Sequence, residues 1–362
     1  MLSIVAYLVA EAKLSIEQAC DVVGVSRSTY YYWQTKGDDC DVDRRKLNSK
    51  ANNPDRKPPP WALSPTDIEQ VESVLCRPEY ADMSIPQVYY SELAQQRKYC
   101  SLRTMQRIAA KLRSSDDDGN NRHRTRQSRK KPQGYVATQP CSVLCWDITY
   151  LGTFSGRHLY LYTVIDLYSR YILGHHVFEK QTAKNAKAFL KGVFDTHKLK
   201  NTGVVLHSDN GSQMKAKCVK KMLQSYGVTE SHSRPSVSDD NAFMESFYHT
   251  NKSALGLNRF VFEDGDIDTA NQVVGDLIGA YHTRFHSGIN FATPEARFYG
   301  YDHEIITAFN KADDTYAKAN PERFRNHPRR AAVRTVAPAP VLNPSVDRES
   351  LEVGGQATRK SK

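Results

Sequence analysis

The 362-residue sequence contains no run of about 20 apolar residues, the length that a helix needs to cross a bilayer. We therefore expect no membrane span. Residues 1–10 are apolar, but they lack a basic leader and acidic Glu11 follows at once, so this start predicts a helix and not a signal peptide.

Cysteine is sparse and its spacing excludes the common zinc modules. The seven cysteines form no Cys-x-x-Cys pair, and no Cys/His set has zinc-ligand spacing. This usage fits a reduced, intracellular protein. A long heptad stretch of the kind used for dimerisation is also missing.

Positive charge is in excess and unevenly placed. The formal net charge is +10, and residues 96–132 alone carry 12 Lys/Arg against 3 Asp. Residues 311–362 carry 11 Lys/Arg against 6 Asp/Glu, so the remainder of the chain is net acidic when summed as a whole. A polyanion partner explains this best, and a solvated basic linker without a partner is the alternative.

The amino-terminal part predicts a helix, a tight turn and a second helix. Ser15 and Gln18 have capping-box spacing, Gly24 supplies a turn, and Ser26 precedes Arg27 at the start of the second helix. Such a unit presents its second helix to the major groove of DNA. The alternative is a small packing hairpin with the following aromatic run in its core.

A second helical part follows a proline-rich linker. Three short helices are predicted, and the polar face of the third carries Arg103 and Arg107. We interpret them as a second unit like helix-turn-helix, with a plain helical spacer as the alternative. A basic linker comes next.

From residue 141 the pattern changes to strands rich in β-branched and aromatic residues. Three strands joined by short loops predict an antiparallel meander, after which apolar spacing predicts helix, strand, helix, strand and helix. That order is typical of a ribonuclease-H-like α/β fold with a five-stranded mixed sheet and flanking helices. The predicted parts are an N-terminal helix-turn-helix at 1–37, a linker at 38–62, the second helical domain at 63–113, the basic linker at 114–134, a catalytic core at 135–302 and a basic, partly disordered C-terminal tail at 303–362.

Three acidic residues stand where predicted elements begin or end. Asp147 follows an apolar run, Asp209 closes another, and Glu245 lies in the first part of a predicted helix, with 35 residues between it and Asp209. Carboxylates brought together from separate elements are the oxygen ligands that Mg²⁺ prefers. The alternative is that Asp209 only forms a turn and that Asp239 and Asp240 only cap a helix.

An ordered set of motifs extends through this region. They are Trp146-Asp147-Ile148-Thr149-Tyr150, Ile165-Asp166-Leu167-Tyr168-Ser169-Arg170, His207-Ser208-Asp209-Asn210-Gly211, Asp240-Asn241-Ala242-Phe243-Met244-Glu245 and Tyr281-His282-Thr283-Arg284-Phe285-His286. Together they resemble the integrase catalytic core of bacterial insertion-sequence transposases, in particular the insertion-sequence-three family. The resemblance covers roughly residues 15–345.

The resemblance implies a DDE transposase in which Asp147, Asp209 and Glu245 are both catalytic and metal-binding. Two Mg²⁺ ions, for which Mn²⁺ could substitute, would act on one phosphodiester. Water as nucleophile would nick a transposon end, and the freed 3′-hydroxyl would then attack target DNA, without a covalent enzyme intermediate.

Candidate DNA-binding residues are Lys252, Arg103, Arg107, Arg27 and Asn210. In the family, the residue at Lys252 is associated with binding the transposon end; a solvated helix face is the alternative. His207 and Asn210 could orient water or phosphate, or His207 is a satisfied buried histidine. Arg284 and His286 are expected to shape the edge of the core or to contact DNA.

The expected partners are double-stranded DNA, at transposon ends and target, and a second copy of the chain on DNA. The chain resembles a second-frame product, so we also expect an upstream-frame partner protein. The resemblance implies a bacterial, cytoplasmic and nucleoid-associated location. The rival interpretations are a catalytically silent DNA-binding regulator derived from a transposase and a hydrolase of RNA–DNA hybrids.

Overall fold

The computed structural model describes residues 2–36, 59, 61–112, 134–233, 241–324, 333–342 and 352–353. The two predicted linkers lie almost wholly outside these ranges. The chain divides into two compact units, residues 1–62 and residues 63–362.

The first unit has three helices, α1 (Leu2–Ala10), α2 (Ile16–Val23) and α3 (Arg27–Lys36). The predicted capping box is present, since Ser15 and Gln18 bond reciprocally, and Gly24 ends α2 in the left-handed region at φ 71°. Tyr30 is buried with Val5, whereas the two tyrosines that follow it are about half exposed. Of the three tyrosines in the aromatic run, Tyr30 thus contributes its side chain to the small core.

The second unit opens with three helices, α4 (Pro65–Leu75), α5 (Ile85–Ala94) and α6 (Leu102–Leu112). Ser64 and Ser84 each begin a helix through a capping box. The apolar faces of these helices form one cluster, into which Phe309 from a later helix also packs. The helical part therefore does not close its core alone.

A five-stranded mixed sheet forms the centre of this unit. Its strands are β2 (Val143–Gly152), β3 (His158–Asp166), β4 (Ile172–Phe178), β5 (Val205–Ser208) and β6 (Thr229–His232), in the order β4-β3-β2-β5-β6. β2 and β3, and β3 and β4, pair antiparallel, whereas β5 pairs parallel with both β2 and β6. The predicted ribonuclease-H-like arrangement is confirmed.

Helices cover both faces of the sheet. They are α7 (Ala183–Thr196), α8 (Lys217–Ser225), α9 (Ala242–His249) and α10 (Ile267–Thr283). Successive residues of β2 alternate between the faces: Leu144 and Trp146 pack with α7 and α8, whereas Val143 and Cys145 pack with α9 and α10. Both faces are apolar, as expected for a sheet with parallel pairs at its centre.

The region after residue 293 departs from the predicted tail. It contains α11 (Pro294–Tyr299), α12 (Asp302–Ala319) and α13 (Pro321–Phe324), and β7 (Val341–Leu342) joins β1 (Tyr135–Val136) and β8 (Glu352–Val353) in a small sheet. Residues 303–319, which the prediction placed in a basic, partly disordered tail, are helical. Charge counting hid an apolar stripe, Ile306, Phe309 and Ala312, that packs against α5 and α6.

Arg297 holds the segment before β7 against the core. Its guanidinium is buried, donates to the carbonyl oxygens of Tyr168 and Ala337 at 2.8 and 2.9 Å, and pairs with Asp302 at 3.2 Å. Each of these acceptors belongs to a different part of the chain, so one side chain joins them.

Within the described ranges, no helix is long and apolar enough to cross a membrane.

β4 packs so tightly against α7 at Gly174 that a larger side chain there should destabilise the protein. A Cβ at Gly174 would lie 2.6 Å from Cγ2 of Val193, so we expect Gly174→Ala to lower the free energy of unfolding by about 2 kcal/mol. Gly192→Ala on the same helix is the matched control, because its Cβ meets nothing within 4 Å. We expect the control to be neutral or stabilising. Denaturant titration of both variants checks this, and equal stability of the two would contradict it.

Candidate active site

The register of the sheet places two of the predicted acids next to each other. β2 and β5 are parallel neighbours, and their pairing aligns Cys145 with His207. Asp147 and Asp209 each follow two residues later, at adjacent positions where β5 ends. Because residues i and i+2 of a strand share a face, Asp147 lies on the side of Cys145, which is the side of α9 and α10.

The carboxyl group of Asp147 is partly buried and crowded by negative charge. Burial is the largest cause of a pKa raised to about 7, and the charges of Asp209 and Glu245 act in the same direction. The N–H of Ile148, which donates to Oδ1 at 2.7 Å, and the ammonium of Lys252 oppose the shift. The structure therefore places Asp209 and Glu245 within electrostatic reach of Asp147.

Tyr248 supports Asp147 and was not singled out from the sequence. Its hydroxyl donates to the backbone oxygen of Asp147 at 2.9 Å, and burial raises the pKa of Tyr248 well above its usual value. Tyr248 follows Glu245 by three residues, so both lie on one side of α9. This three-residue spacing is the signal by which the sequence could have indicated Tyr248.

Asp209 lies in a tight turn after β5. The N–H of Gly211 donates to its Oδ1 at 2.9 Å, and the hydroxyl of Ser208 donates to its backbone oxygen at 3.1 Å. The side-chain amide of Asn210 donates to the carbonyl oxygen of Ser233, beyond β6. In this structure Asn210 ties the turn to the neighbouring strand, and its role in DNA binding stays a prediction.

His207 is fully buried. Its Nδ1 lies 3.0 Å from the hydroxyl of Ser231, and its Nε2 lies 3.3 Å from that of Ser233. These partners favour the interpretation of a satisfied core histidine over a group that orients water.

Glu245 is exposed in the first turn of α9. A neighbour that sequence reasoning missed is Arg170, which is buried and stacks its guanidinium on the ring of Phe243 at 4.1 Å. Phe243 is two residues before Glu245, so this contact helps to fix the start of α9. Asp239 and Asp240, the competing carboxylates, lie outside the described residues.

Lys252 reaches the site by a route that helical spacing did not predict. After His249 the helix continues as a π-helix over Thr250–Ala254, so Lys252 is not simply two α-helical turns from Glu245. The side chains of Thr250 and Asn251 donate to carbonyl oxygens four residues back, a pattern that bends helices.

The ammonium of Lys252 donates to the hydroxyl of Thr149 at 2.6 Å. Burial lowers the pKa of Lys252, and the charge of Asp147 opposes this shift. The cation therefore lies beside the acidic cluster, held by a strand residue two positions beyond Asp147.

Among the described residues, no group of three or more His, Cys, Asp or Glu side chains is gathered so that it could hold a metal ion. Asp147 and Asp209 each turn one oxygen toward a backbone N–H instead. The donors nevertheless suit Mg²⁺, because all three offer oxygen and their mutual repulsion is what a cation would relieve. The three side chains therefore suit the ion in their chemistry.

The other predicted DNA contacts are scattered. Arg103 and Arg107 are exposed on α6. Arg27, in the first unit, lies 3.4 Å from Glu17 in a pair that is mostly exposed and so of little energetic weight. Arg284 donates to the backbone oxygen of Asp82 at 2.5 Å, which joins the core to the helical part.

His286 packs at the same edge of the core. Its Nδ1 accepts from the N–H of Gly288 at 3.0 Å, and burial, with the charge of Arg170, lowers the pKa of His286 to about 4. Arg284 and His286 therefore both shape the edge of the core, which was one of the two roles expected for them.

Residues 137–238 match the family model described as integrase core domain. A relative named transposase for insertion sequence element IS904, from Lactococcus lactis subsp. lactis (strain IL1403), is 33% identical over 169 residues. The chain carries an integrase core domain and is a relative of insertion-sequence transposases. The Lactococcus match covers 45% of this chain and 63% of that protein.

Two further relatives are also proteins of insertion elements. The insertion element IS600 uncharacterized 31 kDa protein of Shigella sonnei is 29% identical over 76% of this chain and 96% of its own length. Transposase InsF for insertion sequence IS3A, from Escherichia coli (strain K12), is 34% identical over 33% of this chain and 41% of its own length. The matched integrase core spans β2 to β6 and includes Asp147 and Asp209, and it ends before Glu245.

Proposed function

We propose that this chain is a DDE transposase. It binds the terminal repeats of an insertion sequence as double-stranded DNA and catalyses Mg²⁺-dependent strand cleavage and strand transfer. The observation that supports the proposal is that Asp209, at the end of the neighbouring strand, and Glu245, in the helix that follows the integrase core, both lie within electrostatic reach of Asp147.

The chemistry follows from what these side chains can hold. Bound Mg²⁺ would stabilise charge on the phosphodiester and lower the pKa of an attacking water. Asp147, Asp209 and Glu245 would bind it through carboxylate oxygens. Tyr248 holds the backbone of Asp147 in place, and the N–H of Gly211 holds the carboxylate of Asp209. Lys252 offers a point charge to a DNA phosphate beside them.

The test is nicking and strand joining on DNA that carries the element's own terminal repeats. We expect the full chain to nick and join in Mg²⁺ or Mn²⁺ and to do neither in EDTA. Binding without nicking, even after the upstream-frame protein is added, would establish the alternative of a catalytically silent regulator. Degradation of an RNA–DNA hybrid without nicking of the ends would establish a hydrolase.

Assembly is part of the same proposal. Two transposon ends must be held together for strand transfer, so we infer at least two copies of the chain on DNA, together with an upstream-frame partner protein. The mass of the complex on paired ends, measured with and without that protein, tests both inferences.

Replacing Lys252 with Gln should weaken binding of terminal-repeat DNA by at least about tenfold, since a hydrogen bond from a charged donor contributes about 1.5–3 kcal/mol. Losing one phosphate contact should also lower the slope of log affinity against log salt by about 0.9. Thr149→Val is the matched variant, because it removes the acceptor at 2.6 Å and keeps the charge. Its salt slope should equal that of the native chain. An unchanged slope in Lys252→Gln would contradict the phosphate contact.

Replacing Arg103 or Arg107 with Gln should weaken binding to transposon ends and leave metal-dependent cleavage of saturating DNA near the native rate. Both side chains are exposed on α6 and lie outside the matched integrase core. Titration of labelled ends, followed by single-turnover cleavage, separates the two effects. Equal loss of binding and cleavage would count against a role in end recognition.

A further inference from the structure

The segment between β4 and β6 is unusually rich in one kind of cation. Residues 179–226 contain ten lysines and no arginine, against Glu179, Asp195 and Asp209, which gives 10 − 3 = +7. The lysines, here called the lysine surface, are Lys180, Lys184, Lys187, Lys191, Lys198, Lys200, Lys215, Lys217, Lys220 and Lys221.

The fold places six of them on two neighbouring helices, α7 and α8. α7 and α8 pack together and cover the same face of the sheet with residues such as Leu190, Val219 and Leu223. Their other sides point outward. Nine of the ten lysines are exposed and Lys220 is half-buried. The charge outside the two basic segments is net acidic when summed as a whole. That sum therefore hid this concentration of positive charge.

This positive charge is hardly neutralised by the protein itself. Among the described residues, only Lys191 of this set forms an ion pair, with Asp195 at 2.6 Å. Lys187 and Lys191, and likewise Lys217 and Lys221, stand four positions apart on a helix, where like charges repel each other and destabilise the helix. These lysines destabilise their helices, and the protein leaves most of their charge unneutralised. A polyanion is therefore the favoured partner.

The lysine surface begins at the edge of the sheet that carries Asp209. The amide of Gln213, in the turn after Asp209, lies 3.4 Å from the carbonyl oxygen of Gln181. The thiol of Cys218 lies 3.7 Å from the carbonyl oxygen of Ala183. Both helices thus start beside the acidic edge and run away from it. The 14 residues of α7 extend about 21 Å, the length of roughly six base pairs of duplex.

We propose that the lysine surface binds the phosphate backbone of a DNA duplex without reading its sequence. Lysine is a point charge on a flexible stem, suited to phosphate, whereas bidentate recognition of bases favours arginine, which is absent here. In the proposed transposase, this duplex is the target DNA, and the lysine surface positions it near Asp209. That assignment rests on the proposed function.

The test compares the full chain with two double variants and their combination. They are Lys184→Gln with Lys187→Gln on α7, Lys217→Gln with Lys221→Gln on α8, and all four together. Arg157→Gln with Arg259→Gln is the control, since both of these cations are also exposed and neither lies in the basic segments at 96–132 and 311–362. Each protein is titrated with a duplex that lacks terminal repeats, over a range of salt concentrations.

We expect the slope of log affinity against log salt to fall by up to about 1.8 in each double variant and about 3.6 in the combination, at about 0.9 per phosphate contact. The control should keep the native slope. If the combined variant keeps the native slope, or if the control loses as much, the lysine surface is not a DNA-binding surface.

A second measurement addresses the target assignment. Nicking of saturating terminal-repeat DNA should stay at the native rate in the combined variant, while joining to added target falls at least about tenfold. Nicking and joining that fall together would overturn target binding. If the native chain nicks nothing even with the upstream-frame protein added, the proposed function fails, and the salt titration still decides the lysine surface.

Discussion

Asp147→Asn should lower Mg²⁺-dependent nicking by about 10³-fold or more and leave affinity for terminal-repeat DNA nearly unchanged. Metal-assisted charge stabilisation contributes several kcal/mol to such a step, and each 1.36 kcal/mol is a factor of ten in rate. The amide is a poor ligand for a hard cation. Single-turnover nicking at saturating DNA, with binding measured separately, checks the result.

The structure makes this variant unusually informative, because it should not unfold the protein. Burial and the charges of Asp209 and Glu245 already disfavour the ionised form of Asp147 and raise its pKa to about 7. Removing the charge relieves that repulsion, so we expect the free energy of unfolding to be unchanged or raised. Lost activity in a protein at least as stable as the native chain cannot be attributed to misfolding.

Asp209→Asn should lose activity to a similar extent, because Asp209 stands beside Asp147 across β2 and β5. Asp276→Asn, on the exposed side of α10, is the matched control and should nick at the native rate. A variant at Asp147 or Asp209 that nicks within about tenfold of the native chain would refute the triad.

Glu92→Gln should lower the free energy of unfolding of the second unit by about 3 kcal/mol or more, the cost of breaking a buried charge cluster. Glu92 is 1% exposed and accepts from four side chains. Arg97 and Arg77 donate at 2.6 and 2.9 Å, and the hydroxyls of Tyr80 and Tyr99 donate at 2.5 and 3.1 Å. The amide would leave buried donors without the charge that they surround.

The same cluster predicts how stability depends on pH. Burial alone would raise the pKa of Glu92, but the hydrogen bonds from Arg97, Tyr80 and Tyr99 outweigh it and hold the pKa at about 2. A carboxyl whose folded pKa is depressed stabilises the fold fully above its unfolded pKa of about 4.3. That stabilisation is lost as pH falls from there toward 2, so native chain and variant should converge in acid.

Glu79→Gln is the control for this prediction. Glu79 belongs to the same cluster, but its side chain is 63% exposed and lies 3.9 Å from Arg77, so its loss should cost less than about 1 kcal/mol. Denaturant titrations of the three proteins at several pH values measure the difference. Equal stability of the two variants, or a difference that persists in acid, would contradict the role given to Glu92.

Local rules predicted most of the elements, because their signals lie within a few residues. Ser15, Ser64 and Ser84 cap helices through contacts three positions apart, and each does so in the structure. The strands followed from β-branched and aromatic runs, and the order of elements then left few possible topologies. The carboxylates were found because each stands at the end of such an element.

Long-range features could not be found in this way. The stripe on α12 has a purpose only against α5 and α6, which lie more than 200 positions earlier, so counting charge concealed it. The π-helix that redirects Lys252 depends on two side chains that compete for backbone oxygens. Tyr248 supports Asp147 through a hydrogen bond to its backbone oxygen, which lies about 100 positions earlier in the chain.

The sequence by itself determined which residues carry chemistry: oxygen-bearing acids at three element ends, cations on particular helices and a fold class able to bring them together. Only the tertiary structure decided what surrounds each of them. It crowds Asp147 with two other acids, satisfies His207 in the core and places six lysines on the two helices that cover one face of the sheet. The reason is physical, since charge interactions and desolvation depend on distance in space, and the packing of sheet against helices sets that distance.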